Sequence, residues 1–597
     1  MEYKKINIIT FMGKMVEIIP GHTIFYVLSQ GVGALLPALQ TMAVALFVNN
    51  VIASDGLQTG KVISPLLLIM FCILFQNVIP VITRIVNTSK KNRLTYSVNL
   101  VLLRKQMKLA YRNIEDSDTC DLIYRVRDNC VNYFDEGYMN VLNSFALAIK
   151  LVSLMIIIFR ASIISGIMIL LIVYPLLKLA MKTGSVNYSL EQDAEMMKRR
   201  YNYIFSVLTG KDYANERNLF GYTGTLTQKY NRLFDDSLEK ETKIINKRYA
   251  NMKSGSVITL IISICVMAFM LPQLFRNEIT PGLYVGLAGA ILDLIQSMSW
   301  QLAGMMQNYA KLSKFFDDYN TFIKLDEQDG AENGMKKNKD TPFVSLEFRD
   351  VSFRYPGTDK YVLKNCSFNL TGKHSYAVVG ENGAGKTTLA KLIMGLYDGY
   401  EGEIYINGRN MKEYTYSELK GIVGTVFQDF AKYELSIKEN IGIGDVDYYI
   451  KQGNNESEIQ SICERLDMIK WINELPNGFG MMLGKIEEEG VDLSGGQWQK
   501  MAIARLLYKD AEINILDEPT AAMDAIAESK VYEQFKSIFK GRFNILITHR
   551  MGAARIADEI LVIKNGKVIE QGKHEFLVGI DGGVYKEMFE SQRKWYE

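Results

Sequence analysis

A glycine-rich segment just beyond the middle of the chain has the residue types needed to bind phosphate groups. It follows an apolar run at 375–379, which predicts a buried strand, and it precedes an apolar run that predicts a helix. Glycines let backbone N–H groups approach a phosphate, a helix N-terminus adds partial positive charge, and Lys386 adds a full one. This strand-loop-helix context is the one that a P-loop requires. The predicted ATP-binding residues here are Gly380, Glu381, Asn382, Gly383, Ala384, Gly385, Lys386, Thr387 and Thr388.

Two adjacent carboxylates follow a second predicted buried strand, at 513–516. Downstream of a P-loop, Asp517 suits a ligand of Mg²⁺, together with the hydroxyl of Thr387. Glu518 suits the base that polarises the attacking water. An isolated Asp-Glu pair is more often a solvated strand end, so this interpretation depends on the P-loop upstream. Asn514 is an unexpected polar residue in a central strand.

A third motif opens a predicted helix and consists of Ser494, Gly495, Gly496 and Gln497 after Leu493. Its hydroxyl and backbone N–H groups at a helix N-terminus form a second anion site, which a single P-loop does not need. With this motif the chain resembles ABC proteins. In that family the motif closes over ATP bound to the partner subunit, so the resemblance implies a dimer that holds two ATP molecules between its nucleotide-binding domains.

The same resemblance assigns roles to four more residues. Tyr355 matches the aromatic residue that stacks on adenine, and Gln428 matches the switch glutamine, a further Mg²⁺ ligand. Asp524 matches the acid of the D-loop, although residues 521–524 depart mildly from the family pattern. His549 matches the switch histidine of the family because it follows a predicted strand at 544–547. The alternative is a structural role, which is the more common one for a lone histidine.

The first half of the chain is predicted to be a polytopic α-helical membrane domain of exporter type. A helix needs about 20 mostly apolar residues to cross a bilayer, and six stretches qualify. The third and fourth are separated by a tight turn at residues 160–161, because one helix of their joint length would overrun a bilayer. The six predicted spans are 23–49, 63–86, 139–159, 161–180, 255–276 and 281–305.

Two long basic loops, between spans two and three and between spans four and five, predict the orientation. An excess of Lys and Arg marks the cytoplasmic side, so both loops and both termini are expected in the cytoplasm. Their helical periodicity predicts that the spans continue as helices into the cytoplasm. The loops are expected to turn, and to transmit motion, near 116–121 and 210–221.

These boundaries predict a membrane domain at 1–325, a polar linker at 326–342 and an α/β P-loop ABC ATPase domain at 343–597. A net charge of +2 without a basic block gives no support for nucleic-acid binding. Six cysteines without paired short spacing argue against a zinc site or a disulfide framework, and they are expected to be reduced and mostly buried.

Polar residues inside the predicted spans suggest a cargo cavity. Lys150 and Asp293 lie near the middle of spans three and six, where a charge is costly unless it faces water, a partner or cargo. Gln296, with Gln76 and Gln301, adds polar capacity. The alternative is structural: Lys150 extends to an interface and Asp293 bonds a neighbouring helix.

The membrane-first, ATPase-second order is that of exporter subunits, and the stretches 427–430, 487–499, 208–211 and 216–220 are similar to lantibiotic-type peptide exporters. The chain is therefore interpreted as a homodimeric exporter of a peptide or other amphipathic cargo across the cytoplasmic membrane. Only about twenty residues precede the first span, too few for a fused leader peptidase. The alternatives are a lipid flippase or multidrug exporter, an importer of a metal chelator with the same fold, and a receptor or channel with a regulatory ATPase.

Overall fold

The structure is a computed structural model, in which the chain forms two compact units. The first unit comprises Met1–Leu103 and Asp121–Lys324, and the second comprises Arg104–Cys120 and Leu325–Glu597. The middle of the first long loop, residues 104–120, which the sequence places in the membrane half, therefore belongs to the unit that contains the ATPase half. The residues described are 6–53, 59–169, 171, 198–211, 213–297, 301–328, 330–331, 334–337, 343–451, 456–485, 489–519 and 541–594.

The first unit is helical. In chain order, the helices with described bounds up to residue 324 are α1 (Ile8–Ile18), α2 (Pro20–Ala53), α3 (Thr59–Lys108), α4 (Tyr111–Glu115), α5 (Ser117–Ala161), α6 (Ala214–Phe220), α7 (Thr223–Phe275), α8 (Pro281–Ser297) and α9 (Ala303–Lys324). Of these, α4 belongs to the second unit. Helix α3 has 50 residues, α5 has 45 and α7 has 53. At 1.5 Å per residue each exceeds a bilayer core of about 30 Å, which confirms that predicted spans continue as helices beyond it.

Within the described residues, three helices are long and apolar enough to cross a membrane, namely α2, α3 and α5. Shorter apolar helical segments, Ser263–Phe275 and Pro281–Leu294, lie in predicted spans five and six. Helix α5 ends at Ala161, so the predicted break between spans three and four is present. Residue 170 and residues 172–180 of span four lie outside the described part of the chain.

Glycines bring α2 and α8 into close contact. A Cβ added at Gly282 would lie 2.1 Å from the backbone oxygen of Ala45, and one at Gly286 would lie 2.6 Å from that of Thr41. Small residues four apart allow such close backbone approach between membrane helices. The first unit also contains a buried ion pair, in which Lys90 Nζ lies 2.6 Å from Asp135 Oδ1.

The second unit is an α/β domain with two sheets. An antiparallel sheet has the order β2-β1-β4-β5, and a six-stranded sheet has the order β10-β9-β3-β8-β7-β6. In the larger sheet β9, β3, β8, β7 and β6 are parallel and β10 is antiparallel at the edge. The strands are β1 (Ser345–Phe353), β2 (Leu363–Thr371), β3 (Ser375–Gly380), β4 (Glu401–Ile406), β5 (Arg409–Asn410), β6 (Val423–Val426), β7 (Ile513–Asp517), β8 (Phe543–Ile547), β9 (Glu559–Lys564) and β10 (Lys567–Gly572).

Two main apolar clusters organise this domain. The first lies between the sheets and includes the helix after the P-loop. The second is mainly helical, and Trp498 and Met501 of α16 are buried within it. The remaining described helices are α10 (Lys386–Ile393), α11 (Tyr416–Ile422), α12 (Ile437–Gly442), α13 (Val446–Lys451), α14 (Glu456–Arg465), α15 (Ile469–Asn473), α16 (Gly495–Lys509), α17 (Met551–Ala554), α18 (His574–Val578) and α19 (Val584–Arg593).

All six cysteines are free thiols, in agreement with the sequence interpretation. Four are buried, Cys120 is half-buried and Cys265 is exposed. The unexpected polar residue of β7, Asn514, is buried, and its amide lies 3.4 Å from the backbone oxygens of Ala511 and Phe543.

Candidate functional site

The carboxyl edge of the larger sheet collects most of the residues that the sequence singled out. Strands β3, β8, β7 and β6 are neighbours and run parallel, so their carboxyl ends meet at one edge. The P-loop follows β3, His549 follows β8, Glu518 follows β7 and Gln428 follows β6. In open α/β sheets this edge is where ligands bind.

The P-loop has the backbone shape expected of a phosphate cradle. Gly383 and Gly385 have φ of +79° and +107°, which side-chain-bearing residues rarely adopt. Gly385 is also confined, because an added Cβ would lie 2.8 Å from Leu363 Cδ2. Glu381 and Asn382 are exposed at the rim, whereas Ala384 is buried.

Lys386 is buried at the start of α10, with its ammonium group inside the loop. Its Nζ donates to the backbone oxygens of Gly380 and Glu381 at 2.9 and 3.0 Å. Burial lowers the pKa of Lys386, while the nearby charges of Glu518 and Asp517 act to raise it. The position suits a cation that exchanges backbone acceptors for phosphate oxygens.

Asp517 and Thr387 form a hard-oxygen pair of the kind that Mg²⁺ prefers. The carboxylate of Asp517 is 5% exposed and accepts a hydrogen bond from Thr387. Burial raises the pKa of Asp517 to about 6, with a smaller contribution from the charge of Glu518. A divalent cation there would offset that burial, so the residues present fit Mg²⁺ bound together with phosphate oxygens. Gln428 is exposed in the turn after β6.

Glu518 and His549 are in direct contact, since His549 Nδ1 lies 2.9 Å from Glu518 Oε1. Glu518 has a φ of +46°, and its backbone N–H donates to the oxygen of Ile547 at 3.0 Å. The strand ladder therefore holds the carboxylate beside the histidine. The pair can orient and deprotonate a water next to a phosphate in the loop.

Gln592 on α19 is a residue that the sequence reasoning missed. Its side-chain amide donates to the backbone oxygen of His549 at 2.5 Å, and its oxygen accepts from the N–H of Met551 at 2.8 Å. Gln592 thus fixes the segment that carries His549, the predicted switch histidine. The contact joins residues 43 apart, so no local sequence signal could have revealed it.

Tyr355 lies beside the P-loop helix, where its hydroxyl is 2.9 Å from that of Thr388. Its ring makes an edge contact with Tyr397 at a centroid distance of 5.5 Å. Lys391 Nζ lies 5.5 Å from the centroid of the Tyr355 ring. The predicted adenine-stacking residue is therefore built into an aromatic and cationic cluster.

This cluster also includes α4, which lies in the first of the two long loops. Glu115 accepts from the hydroxyl of Tyr397 and pairs with the ammonium of Lys391. The ring of Tyr111 packs edge-on against Tyr397. The sequence placed the contact of this loop near 116–121, and these side-chain contacts come from α4, just before that turn.

The motif at 494–497 caps its own helix. Ser494 is the N-cap of α16, and its hydroxyl accepts from the N–H of Gln497 at 3.3 Å. The side chain of Gln497 accepts from the N–H of Ser494 at 2.9 Å. Ser494 and Gly495 are exposed and Gly496 is half-buried, so their N–H groups lie at an accessible helix N-terminus. Asp524 lies outside the described residues.

In the first unit, Lys150 and Asp293 pair with each other. Lys150 Nζ lies 2.8 Å from an Asp293 carboxylate oxygen and 2.8 Å from the hydroxyl of Ser297. Both charged residues line a cavity, with Gln76 and Gln301. Gln296 is exposed and is not among the described lining residues, and its place in the cavity stays a prediction.

The sequence of this chain is similar to those of known transport proteins. A family model described as ABC transporter matches residues 363–521. The subtilin transport ATP-binding protein SpaT of Bacillus subtilis is 30% identical over 92% of this chain and 89% of its own length. The chain belongs to the ABC transporter family. The nisin transport ATP-binding protein NisT of Lactococcus lactis subsp. lactis is 28% identical over 89% of this chain and 88% of its own length.

The fold of this ABC transporter is also that of a solved exporter. A bacterial Atm1-family ABC exporter with ATP bound superimposes with a TM-score of 0.78, at 21% identity, covering 97% of this chain and 99% of the other. The chain is thus an exporter-type half-transporter, a multi-pass membrane protein whose helical region is fused to an ABC ATPase domain. An ATP-dependent lipid A-core flippase of Pseudomonas aeruginosa is 32% identical over 56% of this chain and 55% of its own length.

Proposed function

We propose that this ABC transporter works as a homodimer in the cell membrane, with its ATPase domains in the cytoplasm, and exports a peptide cargo. The observation that carries this proposal is the carboxyl edge of the six-stranded sheet. One chain brings together there the P-loop, Asp517, Glu518 and His549, so each subunit supplies a full hydrolytic set. No second, different chain is needed to provide it.

In each site, the P-loop and Lys386 would hold the phosphates of ATP, and Tyr355 would stack on adenine. Thr387, Asp517 and Gln428 would hold Mg²⁺, whose charge stabilises the transferring phosphoryl group. Glu518 would take a proton from the attacking water, with His549 orienting both. Asp524 would order the loop after Glu518, as the family resemblance implies.

Two features support a second copy of the chain as the partner. The accessible N-terminus of α16, with Ser494, Gly495 and Gly496, is an anion site suited to ATP held by another subunit. Helix α6, at the tip of the second long loop, exposes Leu219 at 77% and Phe220 at 67%. A second subunit would cover such apolar side chains. ATP-driven closure of the dimer would then reopen the cargo cavity on the other side.

Peptide cargo is favoured by the two relatives whose names refer to subtilin and nisin transport, since both align over most of this chain. The flippase of Pseudomonas aeruginosa aligns over about half of it and keeps lipid as the rival cargo. Import of a metal chelator is the other rival, because it would use the same fold in the opposite direction.

The cargo class can be tested with purified protein in lipid vesicles. ATPase activity would be measured with a peptide panel, with lipid A-type lipids and with metal chelators, and Glu518→Gln would report hydrolysis from contaminants. We expect peptides to stimulate hydrolysis and to accumulate inside vesicles whose ATPase domains face outward. Stimulation and movement of lipid alone, or ATP-driven release of a chelator from the lumen of the same vesicles, would contradict peptide export.

A further inference from the structure

The cavity of the first unit is large enough to hold part of a cargo molecule. Its volume is about 850 Å³ and its walls come from α2, α3, α5, α8, α9 and residue 301. Pockets of about 300 to 1,000 Å³ take ligands of drug size. The space therefore fits a segment of a peptide, and it excludes a whole folded domain.

Carboxamide side chains dominate the polar part of the lining. The clearest pair is Gln40 and Gln76, whose side chains bond to each other at 3.2 Å from Gln76 Nε2 to Gln40 Oε1. That bond leaves one NH₂ group on Gln40 and one carbonyl oxygen on Gln76 for other partners. If both amides were flipped, the same two groups would remain, on exchanged residues. Gln30, Asn143, Gln301 and Asn308 add further carboxamides.

A donor beside an acceptor is the pattern that a peptide group recognises, because each peptide unit carries one N–H and one C=O. A phosphate offers acceptors alone, and an acyl chain offers neither. Leaving a buried carboxamide without a partner costs free energy, so apolar cargo would be disfavoured at this wall.

Charge contributes little to recognition at this site. Among the described lining residues, Lys150 is the one cation and Asp293 the one anion, and they pair within 2.8 Å. Ser297 takes a further hydrogen bond from Lys150. A cargo charge would have to compete with this neutralised pair and would itself be desolvated, which is unfavourable without its own partner.

Glycines shape the remaining wall. Gly289 on α8 and Gly304 on α9 line the cavity, and an added Cβ at either meets no atom within 4 Å. Their neighbour Gly286 differs, since an added Cβ there would lie 2.6 Å from the backbone of Thr41. Gly286 thus serves helix packing, while Gly289 and Gly304 leave space open to a ligand.

We propose that this cavity binds an uncharged stretch of peptide main chain, with Gln40 and Gln76 pairing with its N–H and C=O groups. The inference rests on the proposed function and narrows its cargo: charged parts of a peptide would lie outside the cavity during binding. Recognition through main-chain groups also accepts varied side chains, as far as the volume allows.

The test uses the full chain in vesicles and three probes: a capped, uncharged peptide of serine and glycine, the same peptide with lysine substitutions, and dodecyl phosphate. We expect the uncharged peptide to stimulate ATPase activity at the lowest concentration. Gln40→Met with Gln76→Met keeps side-chain length but removes the amides, and it should raise that concentration about tenfold, as expected for loss of about 1.4 kcal/mol of binding. The matched control, Leu39→Met with Leu74→Met, places the same side chains at exposed positions of α2 and α3.

Occlusion gives a second, independent readout. Gly289→Phe should abolish stimulation and peptide transport while the variant still binds a non-hydrolysable ATP analogue, and Leu292→Phe, at an exposed position on the same helix, should leave stimulation and transport intact. Peptide transport unaffected by the glutamine and Gly289 variants would overturn the inference and leave peptide export standing. Greater stimulation by the lysine peptide or by dodecyl phosphate would overturn it as well. If the wild-type protein had basal ATPase activity but transported none of the peptides, the proposed function would be refuted together with the inference.

Discussion

Glu518 occupies a backbone conformation that few residues other than glycine adopt, with a φ of +46°. Such strain persists where surrounding structure fixes it, and it is often found at active sites. Here β7 pairs with β8 up to Asp517 and Ile547, so the next residue has little freedom. The result is a carboxylate held 2.9 Å from His549 at the edge that carries the P-loop.

Replacing Glu518 by Gln should separate binding from hydrolysis. Glutamine keeps the size and a hydrogen bond to His549 but cannot take a proton, so turnover should fall by at least about 100-fold, the lower range for general base catalysis. ATP affinity should stay near that of wild type because the P-loop is untouched. Lys386→Ala is the matched contrast, and it should weaken ATP binding itself. Normal hydrolysis by the Glu518 variant would remove it from this role.

The raised pKa of Asp517 predicts that Mg²⁺ binding depends on pH. Its pKa is raised to about 6 because burial disfavours the charged carboxylate, so the proton competes with the cation below that pH. If one proton competes with one Mg²⁺ ion, the Mg²⁺ concentration at half-saturation should rise by up to about tenfold per pH unit below the pKa. Above the pKa it should stay constant. Binding of a non-hydrolysable ATP analogue, titrated with Mg²⁺ between pH 5 and 8, would check this. A flat profile would contradict the shift.

At the scale of elements, α4 in the first long loop contacts the aromatic cluster that includes Tyr355. Glu115 contacts both Tyr397 and Lys391, and each of these contacts Tyr355. The loop joins α3 to α5, which belong for most of their length to the helical unit. We therefore expect a change at Glu115 to affect Tyr355, which is proposed to stack on adenine.

Glu115→Gln should weaken this link because it removes the charge that pairs with Lys391. Basal ATPase activity should remain within about twofold of wild type, since a partly exposed ion pair stabilises little. Cargo-stimulated activity should fall several-fold, and the KM for ATP should rise more than kcat changes. Asp118→Asn, an exposed acid in the same loop, is the control. If cargo stimulated ATPase activity in Glu115→Gln as strongly as in Asp118→Asn, Glu115 would have no role in coupling.

The sequence predicted best those elements whose signals are local. The strand, loop and helix around Lys386 form one continuous stretch, so composition and spacing were enough to place them. Tyr397, Glu115 and Gln592 escaped prediction because their roles arise from contacts between distant parts of the chain. The place of Gln296 in the cavity stays a prediction, because hydropathy finds a membrane helix without fixing which face meets the cavity.

At the scale of the whole molecule, the proposed homodimer predicts that each ATP site uses Ser494 from the other subunit. A mixed dimer of Lys386→Ala and Ser494→Arg chains should therefore retain one intact site and measurable ATPase activity, although each variant alone has none. A mixed dimer of wild type with the Lys386→Ala/Ser494→Arg double variant should have no intact site. Sites formed within one chain would give the opposite pair of results, measured on dimers isolated with two different tags.

In the proposed function, this one chain couples ATP hydrolysis at the sheet edge to cargo movement. The most direct measurement follows phosphate release and peptide accumulation in the same vesicles, which contain the purified chain alone. We predict that ATP drives both in wild type, that a non-hydrolysable analogue sustains neither, and that Glu518→Gln loses both while still binding ATP. Undiminished accumulation in the Glu518→Gln vesicles, or accumulation only after a second and different subunit is added, would contradict the account.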